Sequence, residues 1–319
     1  MENRSVIRWG GPLSWFFGVC LLFAVGLWAL RFVDFDSIPL LGLVAVAPVG
    51  VAVSFVLLAA TAGARPLIIT LLAVAFLAGL ALPGTILPRT GCAIDGDRGD
   101  GTVVVMSHNA LVGNRDLPAV ADQIRTIDPD VLLLQETPDE ALRRLEDNLG
   151  SDRFPHVQSA GLQHIASKWP LASGWLDGSA TGGLLAATVA SPVGAVRIAN
   201  VHLSAPVTSE RRRNQRAEFE RLPVWVKEQN LDLLMGDFNA GTSQKAFRDA
   251  MPPELVDAHR AAGCGTGLTW TRSIGDGPAI LSLDHALVDE LISIEDFVVG
   301  DFAGSDHKAI AIEFSLDGR

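Results

Sequence analysis

The sequence is poor in cysteine and has no surplus of basic residues. Four of its 25 basic residues and three of its 36 acidic residues fall within residues 1–88, so the remainder carries a net charge of −12. Domains that bind polynucleotide backbones without sequence preference depend on a basic field, because counterion release from the phosphates supplies most of their affinity. The absence of a surplus of basic residues therefore weighs against a nuclease that binds polynucleotides without sequence preference.

Only three cysteines are present among 319 residues. Cys20 lies in the first apolar stretch, which leaves Cys92 and Cys264 as the one pair that can form outside it. In an oxidising compartment these two thiols can bridge. Two unrelated free thiols are an equally good interpretation of the sequence, so the pairing stays open at this point.

Long apolar runs are confined to the first ninety residues, although the mean hydropathy of the whole chain is +0.31. Residues 13–30, 38–64 and 66–87 each reach the length of about 18 apolar residues that can span a bilayer. These runs predict three transmembrane helices. A cleaved signal peptide behind Arg4 and Arg8 is the alternative, but two more runs follow and no small-residue cleavage site separates them from the first.

The basic residues beside the apolar runs predict the orientation of this anchor. Arg4, Arg8 and Arg65 fall on one side of the membrane, and Arg31 and Arg89 fall on the other. The positive-inside rule therefore places the amino terminus inside. Three crossings then place the rest of the chain outside the cytoplasm, in a multi-pass protein of the cell membrane whose first partner is the lipid bilayer.

The composition changes after the anchor, which we assign to residues 1–88. Residues 89–101 are rich in Gly and Asp and predict a flexible linker, and residues 102–319 form the second domain. There, short apolar runs alternate with amphipathic stretches, a pattern typical of an α/β or α+β fold. We predict strands at 103–106, 131–134, 184–190, 196–201, 231–235, 285–288 and 309–314. We predict helices at 117–127, 140–149 and 209–228.

Polar side chains follow nearly every predicted strand of this domain. They are Asn109, Glu136, His202, Asp237, Asn239, Asp284, Asp306 and His307. Each has an ordinary interpretation by itself: a carboxylate after a strand is usually on the surface, Asp237 and Asn239 fit an Asx turn, and His202 fits a hydrogen-bonded core histidine, as His285 does. Burying such groups singly is costly, so the joint pattern favours a shared polar cleft or metal site.

The motifs that carry these residues resemble the endonuclease/exonuclease/phosphatase superfamily. The matching segments are SHNAL, LLQE, NVHLSAP, GDFNA, SLDH and SDH, in order, over roughly residues 102–316. The resemblance implies a four-layered α/β/β/α sandwich with two mixed sheets and a site at their top. The middle segment departs from the family pattern, with only Ser167-Lys168-Trp169-Pro170 in place of its usual turn, and His108 replaces the aromatic residue that often precedes Asn109.

The resemblance also implies a metal site. Glu136, helped by Asn109 and Asp306, would hold Mg²⁺ or Mn²⁺, hard cations that prefer oxygen ligands. It further implies a divalent-metal-dependent hydrolase of phosphate esters, in which a cation and positioned donors stabilise charge on the phosphoryl oxygens.

The remaining motif residues receive catalytic roles by the same resemblance. Asp237, positioned with Asn239, would orient and deprotonate the attacking water. Asp284 would orient His307, and His202 and His307 would hydrogen-bond the phosphoryl oxygens.

Two further features are candidates for substrate binding. Arg211, Arg212, Arg213 and Arg216 cluster on a predicted helix, where neighbouring glutamates favour a solvated, salt-bridged face over contact with an anionic substrate or lipid headgroup. Trp270 stands where family members often place a substrate-loop aromatic, and a core tryptophan is an equally good interpretation.

Three functions remain open on the sequence. The first is an extracytoplasmic phosphoesterase or pyrophosphatase acting on a lipid-linked or envelope substrate, because a tethered domain meets headgroups at high effective concentration. The anchor and domain together also resemble bacterial membrane proteins of the VanJ type. The second is a membrane-tethered nuclease acting on DNA or RNA. The third is a catalytically inactive binding module, which the complete residue set argues against.

Overall fold

The computed structural model describes residues 11–33, 38–61, 92, 94, 101–179, 182–264, 267–272, 274 and 277–316. The chain divides into an amino-terminal unit, Met1–Leu87 with Ser243–Lys245, and a larger unit, Pro88–Thr242 with Ala246–Arg319. The predicted linker and the third apolar run, residues 66–87, lie almost wholly outside the described residues.

The amino-terminal unit contains helix α1 (Pro12–Ala29), a 3₁₀ turn (Leu30–Phe32) and helix α2 (Ile38–Thr61). Among the described residues one helix, Pro12–Phe32, is long and apolar enough to cross a membrane by length and composition. Its large side chains are exposed, with Trp15 at 71%. The sequence predicted three spans, and the described residues support one; α2 confirms a helix over the second run.

The larger unit contains twelve strands among its described residues. They are β1 (Thr102–Asn109), β2 (Val131–Gln135), β3 (His156–Ala160), β4 (Gln163–Ser167), β5 (Leu171–Ser179), β6 (Gly182–Ser191), β7 (Gly194–His202), β8 (Leu233–Asp237), β9 (Leu255–Asp257), β10 (Asp284–Asp289), β11 (Ser293–Val299) and β12 (Ile310–Ser315). Sheet I has the order β11-β12-β1-β2-β4-β3, and sheet II has the order β5-β6-β7-β8-β10-β9.

Each sheet is mixed, with one parallel pair at its centre. These pairs are β1 with β2 and β7 with β8, and every other neighbouring pair is antiparallel. The helices are α3 (Leu117–Ile127), α4 (Asp139–Leu149), α5 (Ser209–Gln229), and the short α6 (Lys245–Ala250) and α7 (Ala258–Ala262). The two mixed sheets predicted from the family resemblance are confirmed.

Three apolar clusters define the layers of this unit. The central cluster joins the two sheets and includes Val105, Leu133 and Ile198. One outer cluster packs α5 on sheet II through Trp225, and the other packs α3 and α4 on sheet I through Val120. The order is therefore helix, sheet, sheet, helix, and sheets covered on both faces require the continuous apolar runs that the central strands show.

Helix α3 shows how the local sequence sets an element. Asp116 is its N-cap and accepts a hydrogen bond from the Ala119 backbone N–H (3.2 Å), and Asp128 ends it in a left-handed conformation. Val120 and Ile124 lie on its buried face. The observed bounds equal the predicted bounds, because both caps and the apolar period are visible in the sequence.

Two long-range connections close the unit. A disulfide joins Cys92 to Cys264 across 172 residues, which settles the pairing that the sequence left open. Strands β1 and β12 are antiparallel neighbours, with Thr102 opposite Ser315. The first and last strands of the unit therefore begin and end side by side.

Candidate active site

Strand direction places the predicted site residues at one edge of the sandwich. The carboxyl ends of the parallel pair β1 and β2 bring Asn109 beside Gln135, directly before Glu136, and those of β7 and β8 bring His202 beside Asp237. Strand β10 runs the opposite way, so its first residue, Asp284, pairs with Asp237. Ligand-type side chains from both sheets therefore meet at the same edge.

Glu136 lies at the open side of this site. Its backbone turns sharply after β2 into a left-handed conformation (φ 52°), uncommon for a residue with a Cβ and typical of functional sites. The Asn109 Nδ2 donates to Glu136 Oε1 (3.3 Å), and the Val112 backbone N–H donates to Oε2 (3.4 Å). The Glu136 side chain is 29% exposed, so its carboxylate can bind a further partner.

Asp237 lies deeper and is almost fully buried. Its Oδ2 accepts hydrogen bonds from Asn109 Nδ2 and Asn239 Nδ2 (both 3.0 Å), and its Oδ1 accepts one from the Asn239 backbone N–H (2.7 Å). Asn239 is also left-handed (φ 50°). Burial raises the pKa of Asp237, against the opposing charge of His307, so its ionised form is a stronger base than an exposed aspartate.

Gly236 allows this placement of Asp237. Its φ is 149°, and a Cβ there would lie 2.1 Å from the Val201 carbonyl oxygen of β7. Any larger residue would push β8 away from β7 and separate Asp237 from His202. The close approach of β8 to β7 therefore explains why the GDFN motif begins with glycine.

His307 and Asp284 form a buried pair. The Nδ1 of His307 lies 2.9 Å from Asp284 Oδ2, and its Nε2 lies 3.7 Å from Asp237 Oδ2. Burial alone would lower the pKa of His307, but the carboxylates of Asp284 and Asp237 outweigh it and raise the pKa to about 10. The imidazole is therefore protonated at neutral pH, with Nε2 as a donor directed into the site.

His202 completes the cluster from the other side. Its Nε2 lies 3.6 Å from Glu136 Oε1 and 3.9 Å from Asp237 Oδ2, between the two carboxylates. Its Nδ1 is buried and has no hydrogen-bond partner among the described residues. The imidazoles of His202 and His307 thus both present Nε2 to the same carboxylate oxygen.

Asp306 and Trp270 form a separate contact at the site margin. The Trp270 indole N–H donates to Asp306 Oδ2 (3.1 Å), and Trp270 is bridged by backbone pairing to His307. Within the described residues, no hydrogen bond joins Asp306 to Glu136 or Asn109. Trp270 is half-buried beside the site.

Arg211 lies apart from the other candidates. It is exposed on the first turn of α5, where its backbone N–H donates to the Thr208 hydroxyl, and within the described residues no hydrogen bond or ion pair joins its side chain to the site. The structure therefore brings together seven of the sequence candidates, places Asp306 and Trp270 at their edge, and leaves Arg211 outside.

The donor set fits a divalent cation. Glu136 and Asp237 place two carboxylates around Asn109, whose Nδ2 donates to both and whose Oδ1 accepts from the Leu111 backbone N–H (3.1 Å). Carboxylate oxygens are the ligands that hard divalent cations prefer. Asp237, Asp284 and His307 also have ligand atoms within 4.8 Å of one another. We favour the Glu136 side, because the Asp284 oxygen and the His307 Nδ1 are already bonded to each other.

Two buried side chains support the site and were not among the sequence candidates. The Ser305 hydroxyl donates to the Asn109 carbonyl oxygen (2.7 Å) and accepts from the His307 backbone N–H (3.1 Å). The Thr269 hydroxyl accepts from the backbone N–H of Asp284 (3.2 Å). The only sequence signal for Ser305 was its place in the SDH motif, and Thr269 gave none.

Comparisons with known proteins agree with this geometry. The model of the Endonuclease/Exonuclease/phosphatase family matches residues 106–307. No curated protein matches the chain.

Several solved structures share the fold. An endonuclease/exonuclease/phosphatase from Beutenbergia cavernae DSM 12333 is 22% identical, with a TM-score of 0.53 over 68% of this chain and 72% of that chain. A truncated Caenorhabditis elegans TDP2 is 25% identical, with a TM-score of 0.52 over 67% and 98%. A 3′ phosphatase, NExo, from Neisseria, bound to a product DNA hairpin, is 19% identical, with a TM-score of 0.52 over 67% and 99%. With its site residues at the expected edge of two packed mixed sheets, the chain belongs to the endonuclease/exonuclease/phosphatase family.

Proposed function

We propose that the chain is a divalent-metal-dependent phosphoester hydrolase. One observation carries the proposal: the Nε2 atoms of His202 and His307 lie 3.9 and 3.7 Å from Asp237 Oδ2, with Glu136 beside them. Two imidazole donors, a buried base and an exposed carboxylate therefore surround one position. A tetrahedral phosphoryl group needs this combination of donors and a cation.

The chain's own residues account for the chemistry as follows. Asp237, held by Asn109 and Asn239, accepts a proton from the attacking water and orients it towards phosphorus. His307 is held as an imidazolium by Asp284 and donates from Nε2 to a phosphoryl oxygen. The Nε2 of His202 donates to the phosphoryl group from the opposite side. A cation bound by Glu136 would supply further stabilisation of negative charge on the phosphoryl oxygens.

We further propose that the enzyme is anchored in the membrane and acts outside the cytoplasm on a lipid-linked or envelope phosphate or pyrophosphate. The apolar helix at Pro12–Phe32 supports the anchor. The Cys92–Cys264 disulfide supports an oxidising compartment, where such bridges persist. The net charge of −12 after residue 88 favours a small or lipid-linked phosphate over a polynucleotide.

Hydrolysis of bis(p-nitrophenyl) phosphate by the full-length protein in detergent micelles tests the reaction class. We expect turnover with Mg²⁺ and none with EDTA. Asp237→Asn keeps the shape of the side chain but removes the base, so turnover should fall roughly 10²- to 10⁴-fold. Asp122→Asn, an identical change on the exposed face of α3, is the matched control and should leave turnover unchanged. Equal turnover in both variants would reject the assignment.

Substrate choice is tested separately. Undecaprenyl pyrophosphate and plasmid DNA are offered to the same preparation with Mg²⁺, and preferential release of phosphate from the lipid supports the proposed substrate class. Preferential nicking of DNA would support the tethered nuclease instead. A reporter fused after Arg319 shows which side of the membrane the catalytic unit occupies, and a cytoplasmic signal would overturn the proposed location.

A further inference from the structure

A buried polar layer lies between the two sheets directly beneath the site. It consists of Ser107, Gln135, Gln163 and Asn200, each no more than 1% exposed. Along β7 the face towards sheet I is apolar at Ile198, then carries Asn200, then carries His202 at the site. Along β1 the same face passes from Val105 through Ser107 to Asn109. The layer thus separates the apolar core from the catalytic groups.

Asn200 links the two sheets at this level. Its Nδ2 donates to the carbonyl oxygens of Leu134 (2.8 Å) and His164 (2.9 Å), the last pair of the β2–β4 ladder. Its Oδ1 accepts from Gln135 Nε2 (2.6 Å), and its backbone carbonyl accepts from Gln163 Nε2 (3.0 Å). One side chain of sheet II therefore fixes both β2 and β4 of sheet I.

Stability by itself does not account for these amides. The Oε1 of Gln135 is buried without a hydrogen-bond partner among the described residues, which is a cost. An apolar side chain at Gln135 would remove this unpaired atom from the core. The site, in contrast, draws Glu136 from sheet I and His202 with Asp237 from sheet II, so its distances depend on how the sheets are held against each other.

We propose that the polar layer positions the catalytic groups, with Asn200 and Gln135 as its central positioning residues. Gln135 directly precedes Glu136, and Asn200 lies two residues before His202. Their mutual hydrogen bond sets the separation of Glu136 from His202 and Asp237, across which the cation and the phosphoryl group must fit. The proposal rests on the proposed function for its catalytic consequence.

The test compares Asn200→Leu and Gln135→Met with Asp232→Asn in the full-length protein. Asp232 is equally buried and accepts hydrogen bonds from Arg197, but it lies at the other end of β8 from the site. The first readout uses Mn²⁺ alone and needs no turnover: its affinity is measured by electron paramagnetic resonance. We expect a several-fold weaker affinity in both layer variants and an unchanged affinity in Asp232→Asn.

The second readout is turnover of bis(p-nitrophenyl) phosphate per folded molecule, well below the melting temperature of each variant. We expect kcat to fall roughly 10- to 100-fold in the layer variants, because a misplacement of about 1 Å can cost on the order of 10²-fold. Variants that match Asp232→Asn in both readouts would show that the layer is only structural and would overturn the proposal. If Asn200→Leu does not fold, Gln135→Met, which removes two of the layer's hydrogen bonds, decides.

The two proposals fail differently. A wild-type protein that binds Mn²⁺ but hydrolyses no phosphoester would reject the proposed function, while the Mn²⁺ comparison still decides on the layer. A wild-type protein that binds no Mn²⁺ would reject both.

Discussion

Replacing Asp284 by Asn should lower the pKa of His307, and this change tests the electrostatics of the site directly. The two side chains share a hydrogen bond of 2.9 Å in a buried position. Burial disfavours the imidazolium, but Asp284 and Asp237 hold the pKa of His307 at about 10. The Asn side chain keeps the shape and loses the charge.

The size of the effect follows from the hydrogen bond. Hydrogen bonds to charged groups contribute about 1.5–3 kcal/mol, and about 1.4 kcal/mol moves a pKa by one. The pKa of His307 should therefore fall by about 1–2 in the variant. Because the folded pKa is raised, the pair stabilises the native state fully below about pH 6.5, and this contribution is lost as the pH rises through about 10.

Histidine-labelled protein titrated by NMR in the presence of EDTA measures the pKa of His307 without a bound cation. The Asp122→Asn variant should titrate like the wild type. The pH dependence of unfolding by urea should flatten above pH 6.5 in Asp284→Asn. A pKa of His307 at or below its ordinary value of 6.5 in the wild type would refute the reasoning, because the two carboxylates would then not outweigh burial.

Three further predictions concern other parts of the larger unit. Burial lowers the pKa of His285, but Asp257 outweighs it and raises the pKa, so the pair stabilises the fold below about pH 6.5 and less as the pH rises through the raised pKa; Asp257→Asn should remove this pH dependence from urea unfolding. Trp270→Phe keeps an aromatic ring but removes the N–H that donates to Asp306, so the affinity for Mn²⁺, measured by titration, should weaken. The free energy of unfolding, measured by thermal melting, should stay within about 1 kcal/mol of the wild type. Cys264→Ser should lower the free energy of unfolding by up to about 5 kcal/mol, since its bridge closes a loop of 172 residues, and dithiothreitol should lower that of the wild type equally.

The central strands could be predicted from the sequence, whereas the edge strands could not. All seven predicted strands exist, because runs such as Val131–Gln135 are buried on both faces and apolar up to their last residue. Strand β3 is an edge strand whose exposure alternates, and β9 has only three residues. Strand β4 is fully buried, but its sequence QHIAS contains no apolar run that would predict a strand. Its polar residues Gln163 and His164 can be buried because their side chains bond to backbone carbonyl oxygens distant in sequence.

The identity of the site residues was predictable, but their hydrogen bonding was not. Polar residues at the ends of buried strands indicated that Asn109, Glu136 and Asp237 would converge. The left-handed backbone of Glu136 and the use of the Asn109 amide as a donor depend on contacts between distant strands. The catalytic roles of these residues are predictions that the Asp237→Asn and Asp284→Asn variants test.

The pairing of the first and last strands has a practical consequence for engineering. Thr102 and Ser315 are partners in an antiparallel ladder, so their Cα atoms lie only about 5 Å apart. The site lies at the other end of β1, at Asn109. A short Gly/Ser loop joining these two ends, with new termini opened in the exposed turn at Ser151 between α4 and β3, away from the site, should yield a circular permutant whose active-site mouth stays unobstructed. This permutant lacks Cys92 and therefore the bridge to Cys264. Labels attached after β12 would be clear of the substrate entrance for the same reason.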